Sequence, residues 1–219
     1  MNTRIDEDYL KEIYKLQLNH EQVNTSTLMK YIGFSPATVM AMIKNLAAQA
    51  WETFEPYQGA TSTEINRSLV MQILKRLRLF KNYLNCEMDI PWELIHAETK
   101  SLEHSLSDYL EAHFDEILVY PGTDLYGVPI SVIDGKTVSP TRLFLSDLTM
   151  EDPAVIVEIN DQNTEFLIRV GELELFLSAK FSEFHIEPYD RLIIKLVTDK
   201  PLTLGRFGSN QIIVRTQLN

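Results

Sequence analysis

The feature that most restricts how this chain can fold is a change in its hydrophobic period. Up to Leu118 apolar side chains recur at helical spacing, and beyond Pro140 they recur at a spacing of two. Tyr9, Leu10, Ile13, Tyr14 and Leu16 form the first helical stripe, behind an acidic first turn that suits a helix N-terminus. Thr25-Ser26-Thr27 then precedes Leu28, Met29 and Ile32, and Gly33 stands where a helix C-terminus needs positive φ. Ser35-Pro36 supplies an N-cap and a first-turn proline for a third helix, whose stripe is Val39, Met42, Ile43 and Leu46. Two helices joined by so short a glycine-containing turn are a helix-turn-helix signal. Trp51-Glu52-Thr53-Phe54, a Pro56-Tyr57-Gln58-Gly59 turn and Ala60-Thr61-Ser62 predict a small β-wing, and Thr63-Glu64 opens the next helix.

Leu69, Ile73, Leu77, Phe80 and Leu84 predict one long amphipathic helix. A further helix restarts at Pro91, and another runs from about Ser105 through Leu110 and Phe114 to Leu118. So much apolar helical surface needs a partner layer, and self-association is the usual answer. A Gly/Ser/Pro stretch from Asp134 to Pro140 reads as a linker. Beyond it Val155, Val157 and Ile159 alternate, and Glu172-Leu173-Glu174-Leu175-Phe176-Leu177 sets acids on one face and apolar residues on the other. With Arg191-Leu192-Ile193-Ile194-Lys195-Leu196-Val197 and Gln211-Ile212-Ile213-Val214 these predict short strands of a small β-barrel. The expected class is α+β in three parts: 1–74 a winged helix-turn-helix, 75–140 all helical, and 141–219 a β-barrel.

Composition narrows the function. The 219 residues carry 20 Lys+Arg against 31 Asp+Glu, a formal net charge of −11. That total does not favour coating nucleic acid by charge alone, yet a local patch can still bind it. Residues 1–75 hold 7 basic and 8 acidic side chains (net −1), whereas 76–140 hold 5 and 11 (net −6) and 141–219 hold 8 and 12 (net −4). If one part touches nucleic acid, it is therefore the first. The single cysteine, Cys86, precludes an intrachain disulfide and a cysteine zinc cage. The acidic start lacks a signal-peptide pattern, and no run approaches the ~18 apolar residues of a membrane span. A cytoplasmic protein with no membrane partner is expected. Catalysis is not expected either. His96-Ala97-Glu98 lacks the Pro-Cys-x-x-Cys partner of a deaminase, Glu103-His104 lacks the spacing of a metallohydrolase helix, and no phosphate-cradling glycine loop occurs. His20, His113 and His185 stand isolated. No small-molecule substrate is expected.

Five segments fall in an order that resembles one family. They are Asp8-Tyr9-Leu10-Lys11-Glu12-Ile13-Tyr14, Ser35-Pro36-Ala37-Thr38-Val39, Glu55-Pro56-Tyr57-Gln58-Gly59, Leu102-Glu103-His104-Ser105-Leu106-Ser107-Asp108 and Tyr126-Gly127-Val128-Pro129-Ile130. Together they resemble the diphtheria-toxin-repressor family of iron- and manganese-dependent transcriptional regulators, across roughly residues 5–130. The C-terminal part is similar to that family's SH3-like third domain. The resemblance implies a homodimer that binds palindromic double-stranded operator DNA as a repressor. It also implies Mn2+ or Fe2+ between the first and second domains, and a helical second domain that dimerises.

The resemblance assigns metal-ligand positions to Asp8, Glu103 and His104, and a second-site position to His96. Other ligand positions have changed type. The family's usual Cys or Glu is Lys100, its His is Leu77, its Glu is Lys81, and a Glu of manganese-selective members is Lys11. Asp124 and Tyr126 stand where streptococcal-type members carry Cys and His. Leucine offers no donor, and a lysine near its reference pKa of ~10.4 has no free lone pair. Iron and manganese want several oxygen and nitrogen donors, so metal is expected to bind weakly or not at all. Two readings stand here. In one, an ammonium group, that of Lys100 foremost, replaces the metal between Asp8 and Glu103 and makes regulation metal-insensitive. In the other, the lysines are solvated charges at a decayed site, where exposed ion pairs contribute only ~0–1 kcal/mol.

The DNA-contacting residues implied are Ser35, Pro36, Ala37 and Thr38 at the start of the recognition helix, Lys44 within it, and Gln58 in the wing. Small side chains let such a helix enter the major groove, and hydroxyls at a helix N-terminus suit phosphate. Met40, Ala41, Ala47 and Ala48 replace more polar family residues, so fewer phosphates are neutralised and salt dependence is shallower. The alternative is a degenerate member that keeps the fold as a metal-independent dimeric protein-interaction module. Glu172 and Glu174, read on a strand, stand where the family draws supplementary ligands.

Overall fold

The computed structural model describes residues 4–17, 23–49, 52–55, 59–102, 105–130, 143–148, 153–160, 162–187, 191–196 and 201–216. The chain divides into two compact units, Met1–Arg76 and Leu77–Asn219. Helices α1 (Arg4–Gln17), α2 (Thr25–Ile32) and α3 (Pro36–Ala48), strands β1 (Glu52–Glu55) and β2 (Gly59–Ser62), and the first half of α4 (Glu64–Met88) make the first unit.

Local chemistry places its helix ends as expected. Asn24 caps α2 by accepting the Thr27 N–H at 2.8 Å, and Gly33 ends that helix at φ +75° while its N–H donates to the Met29 carbonyl. Tyr9, Leu10 and Ile13 of α1, Leu28 of α2, and Val39, Ile43 and Leu46 of α3 are buried together at 0–2 % exposure. Each such side chain contributes roughly 1.5–3 kcal/mol by leaving water, which is what sets the angle between these short helices. The wing is tied down at its root. β1 pairs antiparallel with β2, Ala60 bridges Val23, and Gln17 donates to the Ala60 carbonyl (3.0 Å) while accepting the Ser62 N–H (3.4 Å).

Under the wing lies a buried polar cluster that the strand pattern does not announce. Glu52 faces Ser62 across the β1–β2 ladder. Its Oε1 accepts from the Ser62 hydroxyl at 3.2 Å and from Asn66 Nδ2, which also donates to Ser62 Oγ at 3.0 Å. Glu52 and Asn66 are 2 % and 0 % exposed. Burial pushes the Glu52 carboxyl up to about 8, against the opposing pull of the Ser62 and Asn66 hydrogen bonds and the Arg67 charge. Glu52 is accordingly the neutral acid at neutral pH.

The second unit continues α4 and adds α5 (Trp92–Leu102) and α6 (Asp108–Ile117), the latter capped by Ser107. Beyond lie β3 (Leu143–Phe144), a 3-10 turn (Leu145–Asp147), β4 (Ala154–Ile159), α7 (Thr164–Glu172), β5 (Lys180–Glu187), β6 (Arg191–Leu196), β7 (Pro201–Gly205), α8 (Arg206–Ser209) and β8 (Ile212–Thr216). Six strands form one antiparallel sheet in the order β3-β8-β4-β5-β6-β7. Leu145, Ile156, Ile159, Phe166, Leu167, Val170 and Leu175 build its core together with Tyr126, which reaches in from residues 121–130. The α+β class, the winged helix and the small sheet domain are as expected.

Three expectations need correction. Glu172-Leu173-Glu174-Leu175-Phe176-Leu177 is no strand: α7 ends at Glu172, and Glu174 and Ser178 adopt φ +58° and +68° in the turns that follow. The acid–leucine alternation there is the last turn of an amphipathic helix running into a left-handed residue. In β4 the inward residues are Ala154, Ile156 and Ile159, because a bulge between Ile156 and Glu158 shifts the phase from the Val155–Val157–Ile159 alternation. The sheet is open among the described residues, since no pairing joins β3 to β7. The expected linker from Asp134 to Pro140 lies outside the described residues.

The bulge also explains one glycine. Val157 is the extra residue, and a Cβ on Gly127 (φ +91°) would run into the Val157 carbonyl. Gly127→Ala should therefore cost roughly 2 kcal/mol or more in chemical unfolding, whereas Gly122→Ala, with open space at its Cβ, should stay within about 0.5 kcal/mol. The Glu52 carboxyl gives a pH test. The unfolded chain releases this proton near 4.5 and the folded one near about 8, so its contribution is fully present below 4.5 and is lost as pH rises to about 8. Relative to Glu52→Gln, wild-type stability should fall across that window by up to ~1.4 kcal/mol per pH unit in urea melts. A parallel pair of curves would contradict the neutral-acid assignment.

Candidate nucleic-acid interface and cation-holding positions

The face of α3 opposite the core is open at its N-terminus. Ser35 caps the helix in extended backbone, its Oγ accepting the Thr38 N–H at 3.3 Å and lying 2.9 Å from Thr38 Oγ1. Pro36 fills the first turn without an orphan N–H, and no acidic residue lies in that turn. Ser35, Pro36, Ala37, Thr38 and Lys44 are all exposed, while Val39, Ile43 and Leu46 are buried beneath them. Phe34, half exposed, stacks on buried Tyr9 with ring centroids 6.0 Å apart, fixing the entry to the helix. The result is a narrow ridge of small side chains with a positive dipole end and two hydroxyls, able to approach a polyanion closely. Lys30 and Arg4 are exposed in the same unit, and Arg67 is paired with Glu64 at 3.3 Å. Gln58 lies outside the described residues.

Only some of the positions implied for metal lie among the described residues. Asp8 is paired with Lys11 one turn on, Nζ to Oδ1 3.2 Å, and the Lys11 side chain is 5 % exposed. Leu77 is buried and offers no donor, and His96 is half-buried on α5. Glu103 and His104 lie outside the described residues, and the Lys100 side chain is likewise not described. Among the described residues no group of three or more His, Cys, Asp or Glu side chains could hold a metal ion.

Lys81 is brought to a partner that spacing along α4 could not reveal. Its ammonium lies 4.0 Å from Asp124 Oδ2, with both side chains buried, and 5.2 Å from the centroid of the Tyr126 ring. Sequence reasoning treated Lys81 and the Asp124/Tyr126 pair as separate alterations; only the fold joins them. It also missed Glu52, Ser62 and Asn66, whose signal was available in the antiparallel register of the wing. Glu172 ends α7 and Glu174 follows it in a turn, so neither lies on the strand expected of them.

Comparisons with known proteins bear on both surfaces. Residues 1–60 match the family model described as iron dependent repressor, N-terminal DNA binding domain, and residues 63–131 match iron dependent repressor, metal binding and dimerisation domain. An uncharacterized HTH-type transcriptional regulator of Methanocaldococcus jannaschii is 32 % identical over 103 residues, covering 47 % of this chain and 82 % of that protein. The iron-dependent repressor IdeR of Mycobacterium tuberculosis is 26 % identical over 142 residues, 64 % of this chain and 62 % of its own. Among solved structures, a manganese-dependent transcriptional repressor in complex with manganese superposes with a TM-score of 0.85 at 25 % identity, covering 97 % of this chain and all of that one.

Proposed function

The chain belongs to the iron-dependent repressor family, and from that premise we propose that it represses transcription by binding palindromic operator DNA as a homodimer, with its metal control weakened or lost. The observation that carries the DNA-binding part is the ridge at the start of α3. Its first turn is exposed, small and free of acids, and it is held rigid by the Ser35 cap and the apolar residues beneath. Ser35, Pro36, Ala37 and Thr38 meet the groove and the phosphates, Lys44 adds a cation further along the helix, and Gln58 is the remaining residue assigned to DNA. The protein is a regulator and not an enzyme. Among the described residues, no helix is long and apolar enough to cross a membrane.

The homodimer is supported by α6. That helix buries no residue of its own, yet Tyr109, Leu110 and Ile117 are exposed on it, and Val119 and Tyr120 follow at 81 % and 72 % exposure. A helix with this much exposed apolar surface fits a self-complementary interface. Weakened metal control is supported by the two described carboxylates, Asp8 and Asp124, each of which faces a lysine ammonium. Asp8, His96, Glu103 and His104 are the residues that would hold residual Mn2+ or Fe2+.

Capture of fragmented genomic DNA by the purified chain in EDTA tests this reading. Specific palindromic fragments are the expected product. Fragments recovered only with Mn2+ or Fe2+ would mean that metal control persists, and none under any condition would leave a dimeric protein-interaction module. Once an operator is in hand, Lys44→Ala should weaken it uniformly across sequences and make the slope of log affinity against log salt shallower by about 1, whereas Thr38→Ala should leave that slope unchanged.

A further inference from the structure

The residues around Asp124 do not fit a divalent ion, and that disagreement assigns a role to Lys81. We propose that Lys81 is the resident cation of the junction between α4 and residues 121–130, so that this junction closes without bound metal. The inference deepens the reading of weakened metal control. It is tested on folding rather than on DNA, so either can fail alone.

Asp124 organises its own loop with one oxygen. Oδ1 accepts the N–H groups of Tyr126 (3.0 Å) and Val128 (2.9 Å), while the Asp124 N–H donates to the Val128 carbonyl and the Gly127 N–H to the Asp124 carbonyl. Oδ2 is left facing Lys81. Asp124 is 3 % exposed and Lys81 5 %, so each charge lacks bulk water and must be met by protein groups, the opposite charge across the pair among them. The face of Tyr126 below Nζ adds a second cation-favouring group. Neighbours on α4 reach the same loop: Arg78 donates to the Pro129 carbonyl at 2.7 Å and Asn82 to the Thr123 carbonyl at 3.0 Å. Arg78, Lys81 and Asn82 share one helix face by their spacing of three and four.

Among the described residues a divalent ion has too few side-chain donors here. An ammonium is donor-only and cannot ligate. Among the described residues, the side-chain oxygens shown facing this point are Asp124 Oδ2 and Asn82 Oδ1, the latter buried without a hydrogen-bond partner. Two oxygens fall well short of the six or so that hard cations take. The ammonium places a positive charge opposite Asp124 Oδ2, on a stem already anchored to α4.

The test is thermal unfolding of the full chain and its Lys81→Met, Lys81→Arg and Lys81→Glu variants, each in EDTA and in excess Mn2+. In EDTA, Lys81→Met should lower the midpoint by about 6 °C or more, because it strands a buried carboxylate, and Lys81→Arg should recover most of the loss. Lys81→Glu should be destabilised in EDTA and regain stability in Mn2+ by a larger shift than wild type shows, since two facing carboxylates then require a cation. A wild-type midpoint in Lys81→Met would overturn the proposal, as would equal Mn2+ shifts in wild type and Lys81→Glu. If Lys81→Glu does not fold, the comparison of Lys81→Met with Lys81→Arg in EDTA decides: equal midpoints sink the idea.

Discussion

Burying the Asp124 carboxylate commits everything near it to supplying hydrogen-bond donors or positive charge. Two backbone N–H groups and the Lys81 ammonium are among the groups that meet that demand, and they tie down residues 121–130. The rest of the second unit is assembled on that path. Tyr126 donates its hydroxyl to the Trp92 carbonyl at 2.6 Å, and its own carbonyl accepts the Ile159 N–H at 2.9 Å. Its ring stacks on Trp92, which in turn packs on Phe176. One aromatic residue thus joins α5 to the sheet, and the carboxylate two positions earlier holds it against α4. Hydrophobic burial provides most of the free energy in this region, but the polar contacts decide its geometry.

The first unit divides the same labours differently. Its short helices bury one apolar face each, and the surface left over is the start of α3 and the wing. Rigidity there comes from local bonds: a serine cap, a proline in the first turn, and Gln17 gripping the strand from α1. The neutral Glu52 at the wing root makes stability in this unit respond to a proton.

Legibility followed the range of the interaction. Gly33, Ser35 and Pro36 could be read directly because each acts on its own few neighbours, and the φ of +75° and the 3.3 Å cap are what those residue types do. The stripes Tyr9–Leu10–Ile13 and Val39–Ile43–Leu46 were equally plain, since a period of 3.6 has no rival over that length. Alternation over six residues is weaker evidence. At Glu172-Leu173-Glu174 it belonged to a helix end, and at Val155 a single extra residue reversed which side chains point inward. The meeting of Lys81 with Asp124 was out of reach, because nothing along α4 encodes what a distant loop brings to it. The cluster of Glu52, Ser62 and Asn66 was halfway legible: the hairpin register pairs the first two, but burial had to come from the packed fold.

Among the described residues the sheet is open, and the composition of its edges bears on how copies of the chain can meet. An unpaired strand offers free N–H and C=O groups to any neighbouring strand, and such edges invite open-ended association. Here one edge, β3, is only two residues long, and the other, β7, begins with Pro201, which has no N–H to give. Both edges are therefore poor templates for adding another strand. Association by side-chain packing on a helical face closes on itself when it is two-fold, whereas edge-to-edge pairing need not. Blunt sheet edges of this kind disfavour open-ended, fibre-like pairing.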